Sequence, residues 1–70
     1  MKICVYARVI GFMGGDEAMI PMDFIEAENF RKAVCEYCES DEELSATFIS
    51  DSSASLFKHG YCVGKMRVVE

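Results

Sequence analysis

One stretch of this chain breaks the period that governs the rest. Most of the residues alternate between apolar and polar as a β-strand requires, but Phe30, Ala33, Val34 and Tyr37 recur at i, i+3, i+4 and i+7, the stripe of an amphipathic helix. Asn29 is a suitable N-cap, and the spacing predicts a helix over residues 30–39. A single helix of that length covers one face of a sheet and no more. Whatever sheet the flanking strands build must meet water or a partner on its other face.

The strands read as follows. Ile3, Val5, Ala7 and Val9 alternate with Cys4, Tyr6, Arg8 and Ile10, predicting a strand over residues 2–12. Gly14 and Gly15 are expected to form the hairpin turn, and a second strand returns over residues 17–26. Pro21 cannot donate to a ladder, so this strand should lie at an edge or break there. After the helix, LSATFIS predicts a strand over residues 44–50. In residues 52–59, Ser52 or Ser53 could cap a short helix ended by Gly60, or residues 54–58 could be a short strand; the strand is the preferred reading. The last strand, YCVGKMRVVE, sends Cys62, Met66 and Val68 one way and Tyr61, Val63, Lys65, Arg67 and Val69 the other. The expected fold class is α+β, an antiparallel sheet of four or five strands in ββαββ order with one helix packed on one face.

In this register Ile3, Val5, Ala7, Val9, Ile25, Leu44, Phe48, Cys62, Met66 and Val68 lie under the helix. The opposite face then carries Tyr6, Arg8, Ile10, Met22, Phe24, Ile49, Tyr61, Val63 and Val69, which is too apolar to face water alone. It reads as a surface for a partner protein or a second copy of the chain. Tyr6, Tyr61, Arg8, Lys65 and Arg67 on such a face could also stack and pair with single-stranded RNA. The net charge of −5 argues against direct nucleic-acid binding, because phosphate contacts supply most of its affinity.

Seventy residues, 51% hydrophobic and 27% charged, fit one compact domain over residues 1–70 with a small core. No apolar run approaches the ~18 residues of a membrane span, and MKICVYARVIG lacks the small-residue cleavage site of a secretory signal. A cytoplasmic location with no membrane partner is expected. Cellular thiols there keep cysteines reduced, so Cys4, Cys35, Cys38 and Cys62 are not expected to form a disulfide framework.

Candidate chemistry is sparse. A redox Cys-x-x-Cys pair places its first thiol at a helix N-terminus, where the dipole favours thiolate. Cys35 and Cys38 instead sit in the last turns of the helix beside Glu36 and Glu39, which disfavour thiolate. Zinc would need Cys35, Cys38 and Cys62, with Cys4 facing away and no glycine-containing knuckle around the pair, so no metal and no cofactor is assigned. Cys38 reads as a small core residue and Cys35 as its neighbour on the flank. His59, before Gly60, reads as a turn residue with no acid–base partner. Asp16 and Glu17 would repel a phosphate from GFMGGDE, and the serines between 50 and 55 lack a nucleophile elbow. No catalytic residue is assigned, and a non-enzymatic chain is expected.

Charge is unevenly spread. Residues 16–43 hold ten acidic residues against Arg31 and Lys32, a local balance of −8, while the remainder carries +3. Glu36, Glu39, Asp41, Glu42 and Glu43 crowd a helix C-terminus, where the dipole and one another oppose them. They read either as a solubilising helix end or as a patch that docks on a basic surface, such as the nucleic-acid channel of another protein, with electrostatic steering of the encounter.

The junction FIEAENFRKAV, residues 24–34, turns Ile25 and Ala27 inward and Glu26 outward before the cap Asn29 opens the helix. It resembles the strand-to-helix junction of several very small proteins of phages and mobile elements, among them anti-CRISPR inhibitors built of a few antiparallel strands around one helix. The resemblance implies an inhibitor that occupies a basic surface of a nucleic-acid-handling complex, in the host cytoplasm if phage-encoded. It carries over no individual functional residue. The alternative is a small housekeeping or accessory domain that homodimerises through its open sheet face, with or without a cysteine-ligated zinc.

Overall fold

The structure is a computed structural model that describes residues 1–11, 15 and 17–70. Its elements are β1 (Lys2–Ile10), β2 (Glu17–Glu26), α1 (Phe30–Glu39), β3 (Leu44–Ser50), β4 (Ser53–Lys58) and β5 (Tyr61–Val68). The architecture is α+β: one antiparallel sheet in the order β2-β1-β5-β4-β3, with α1 packed on one face. The chain order is ββαβββ, which corrects the expected ββαββ. SASLFK is a full strand because Ala54 and Leu56 are both buried two residues apart, a period that suits a strand and not a helix.

Pro21 sits on an edge strand, as its missing donor requires. The first strand ends at Ile10; the remainder of the expected strand at Phe12 and the turn residue Gly14 lie outside the described residues, while Gly15 has a φ of 76°. β4 and β5 are joined by His59 and Gly60, with φ of 51° and 82°, the paired positive values of a tight hairpin turn. His59 is therefore a turn residue. Asn29 caps α1, its Oδ1 accepting the Lys32 N–H at 3.0 Å.

The core joins Phe30, Ala33 and Val34 of α1 to Ile3, Val5, Ala54, Leu56 and Met66 of the sheet. Phe30 meets Phe48 edge-on, with ring centroids 6.0 Å apart at 80°. Each of the larger side chains contributes about 1.5–3 kcal/mol by leaving water.

Three β-bulges decide which side chains share a face. Val5 stands opposite Asp23 but Tyr6 opposite Pro21, leaving Met22 as an extra residue. Leu56 stands opposite Gly64 but Phe57 opposite Cys62, leaving Val63 extra; Phe48 stands opposite Ala54 but Ser50 opposite Ser53, leaving Ile49 extra. Each insertion shifts the alternation by one residue, so side chains beyond it exchange faces. Met22 and Val63, expected on the open face, instead line a cleft with Tyr37 and Ser40 at the end of α1. Tyr61, also expected there, pairs with Lys58, whose ammonium bridges Asp41 just past the helix, so it too belongs to the helix side. Cys62, expected beneath the helix, lies opposite Phe57 on the other face. Ile49 is the exposed extra residue at the end of β3. Tyr6, Arg8, Ile10 and Phe24 keep the open face expected of them.

Candidate interaction surfaces

Helix and strand lengths set the first surface. Ten helical residues extend about 15 Å, whereas the nine residues of β1 extend about 30 Å. The helix is therefore too short to cover the length of β1. Val9, expected beneath it, is exposed for that reason, as are Ile20 and Met22 on β2. Between the helix end and this bare sheet lies an open cleft of about 530 Å³, its apolar wall built from Ala7, Met22, Tyr37, Leu44, Leu56 and Val63. Met22 is 59% exposed and nearby Tyr61 74%, a large apolar area for solvent to wet.

Carboxylates gather where the cleft meets the helix end. Asp41 lines it, and its Oδ2 lies 2.7 Å from the Lys58 Nζ while its Oδ1 accepts the Glu43 N–H at 3.0 Å. Hydrogen bonding to Lys58 holds the Asp41 carboxyl below the ordinary aspartate range, and the same contact raises Lys58. Glu43 Oε2 lies 3.3 Å from His59 Nε2 across the turn. Glu36, Glu39 and Glu42 are exposed and have no ion-pair partner among the described residues. Two of the five acidic residues thus fasten the loop to the sheet, and the other three are exposed to solvent.

The open face is the second surface. Cross-strand pairing lays it out in rows: Phe24, Cys4, Arg67 and Ser53; then Pro21, Tyr6, Lys65, Ser55 and Thr47; then Met19 and Arg8, with Cys62, Phe57 and Ser45 beyond. Lys65 Nζ and Arg67 Cζ sit 5.5 and 5.7 Å from the Tyr6 ring centroid, Arg67 Nη2 donates to the Tyr6 hydroxyl at 3.3 Å, and Lys2 Nζ lies 4.7 Å from the centre of Phe24. Arg8 donates to the Cys62 carbonyl at 3.2 Å and bonds Glu17, holding that carboxyl below the usual glutamate range. Cys4, only 1% exposed, is covered from this side by its larger neighbours. The face is basic and aromatic around Tyr6, with Ile10, Met19 and Phe24 exposed towards the β1–β2 edge.

Neither a protein-family model, nor a curated protein, nor a solved structure matches this chain.

The cysteines do not converge. Cys35 is exposed on α1 and Cys38 half-buried against the core; burial, followed by the neighbouring Cys35, pushes the Cys38 thiol up and away from thiolate. Cys4 and Cys62 lie on the far side of the sheet. Among the described residues no three His, Cys, Asp or Glu side chains form a group that could hold a metal ion. No helix among them is long and apolar enough to cross a membrane.

Sequence reasoning missed Tyr37, Leu44, Leu56 and Lys58 as cleft residues, and Lys2 and Phe57 on the open face. One signal was available. Gly64 interrupts an otherwise regular strand, and interior glycines mark bulges and close backbone approach. A Cβ at Gly64 would be driven into the Tyr6 carbonyl oxygen, the close approach that accompanies the Val63 bulge.

Proposed function

We propose that this chain is a non-catalytic protein-binding module that grips a basic partner through the cleft at the end of α1. The observation that carries this reading is the arrangement of that cleft: an apolar floor from Ala7, Met22, Leu44, Leu56 and Val63, closed at one end by the Asp41–Lys58 ion pair, with the exposed Glu39 and Glu42 next to its lining residues Ser40 and Asp41 in the chain. Protein interfaces combine a desolvated apolar centre with a polar rim, and a few apolar anchors supply most of the affinity. The complementary partner presents one apolar side chain flanked by Lys or Arg. Glu36, Glu39 and Glu42 steer its approach, since Asp41 is already held by Lys58. Basic surfaces of this kind belong to nucleic-acid-handling proteins, so occupancy would exclude their substrate, as the junction's resemblance to anti-CRISPR inhibitors implies.

The test compares captures from a host lysate. Val63→Asp places a charge in the cleft and should abolish capture of the specific partner, while Glu36→Lys, Glu39→Lys and Glu42→Lys together should slow association about tenfold or more at low salt. Lys65→Ala, on the opposite face, should change neither. An identical captured set across all these variants overturns the reading. A stable dimer in light scattering that Val63→Asp dissociates would assign the cleft to a second copy of the chain.

A further inference from the structure

We infer that the open face of the sheet binds single-stranded nucleic acid. The occupant is chosen by charge and by ring placement. Four of the seven Lys and Arg residues, Lys2, Arg8, Lys65 and Arg67, lie on this one face. Among the described residues, the acidic residues that share it are Glu26, paired across from Lys2 at the rim, and Glu17, already bonded to Arg8. The three central strands place no carboxylate on it. Between the cations stand Tyr6 and Phe24, with Phe57 one row further on, and Ser53, Ser55, Thr47 and Ser45 offer hydroxyls across the β3–β4 half. Cations track phosphates, rings receive bases, and hydroxyls bond sugar or phosphate: a sheet with that order of groups is a stacking platform. The cations now resting over Tyr6 and Phe24 are held by exposed cation–π contacts and, for Arg67, one hydrogen bond to the Tyr6 hydroxyl, weak contacts that an incoming base can displace.

The net charge of −5 does not oppose this, because it is an average over two layers. Glu36, Glu39 and Glu42 belong to the helix side, and packed layers stand about 10 Å apart before their outward side chains are added. The screening length in physiological salt is about 8 Å. A strand lying on the open face feels Lys2, Lys65 and Arg67 at contact and the helix carboxylates through more than one screening length.

Fluorescence anisotropy of labelled oligo(U) and oligo(dT), with the full chain as titrant, tests the inference. Saturable binding to either strand supports it, and the ratio of the two affinities tells RNA from DNA. With three cations on phosphates, affinity should fall roughly 20-fold between about 50 and 200 mM salt. Lys65→Glu with Arg67→Glu should abolish binding; Phe24→Ala, at a ring 56% exposed and outside the core, should weaken it about 5-fold or more. Val63→Asp, which disables the cleft, should leave strand binding intact, so the two surfaces fail independently. Absence of saturable binding at about 50 mM salt overturns the inference. So does equal affinity for inorganic polyphosphate or duplex DNA, which would show that no base is stacked. Tighter binding of polyglutamate would also overturn it, by assigning the face to an acidic polypeptide.

Discussion

Met66 and Lys65 are neighbours on one strand, yet they occupy opposite surroundings: Met66 is fully buried beneath α1, and Lys65 stands over Tyr6 on the open face. The difference between the two faces extends across the sheet. On the helix side, packing fixes the structure near Phe30 and Val34 and then stops, because α1 ends after ten residues and leaves apolar strand ends exposed. On the open side no element among the described residues packs above the sheet, and its centre is finished with cations, rings and hydroxyls that tolerate water. One face ends in bare apolar strand; the other carries most of the chain's cations.

The contrast is sharpest in stability. Met66→Ala should cost about 2–5 kcal/mol, a large share of the stability of so small a chain, whereas Lys65→Ala should stay within about 0.5 kcal/mol. Urea unfolding of both variants measures the difference, and equal effects would break the comparison. Gly64→Ala comes next. Its Cβ would strike the Tyr6 backbone carbonyl and force β1 and β5 apart, so a loss of about 1–3 kcal/mol is expected even though only a methyl group is added.

The smallest effect concerns Asp41 and Lys58. Asp41 is held below its ordinary value near 3.9, so its contribution is present above that pH and is lost as pH falls through the lowered folded value. Lys58 is raised, so its share is present below about 10.4 and lost as pH climbs past the raised folded value. Lys58→Met should return the Asp41 carboxyl titration, followed by NMR, towards the ordinary range and reduce the acid-side loss of stability. An unmoved Asp41 titration would show that Lys58 is not its partner.

Much of the fold was legible because the strongest signals are local. The stripe from Phe30 to Tyr37, the Asn29 cap, the edge position of Pro21 and the turn at His59 and Gly60 each depend on a few adjacent residues. The faces were not legible in the same way. Alternation assigns Met22, Tyr61, Val63 and Cys62 only if every strand is regular, and bulges at Met22 and Val63 reverse them through cross-strand pairing that a single strand does not contain. Net charge does not describe either face: it sums carboxylates of the helix side with cations of the open face. The acidic residues stand out as a group in the sequence, but their division into loop fasteners and outward charges depends on Lys58 and His59, which are distant in sequence.

The bulges turn Met22 and Val63 towards α1 and leave the other face to Tyr6, Lys65 and Arg67. Nuclear Overhauser contacts from the Val63 and Met22 methyl groups test this placement most directly. Contacts with the Tyr37 ring and the Leu44 methyl groups are expected, and none with the Tyr6 ring or the Arg67 side chain. Contacts with Tyr6 and Arg67 in place of Tyr37 and Leu44 would contradict it.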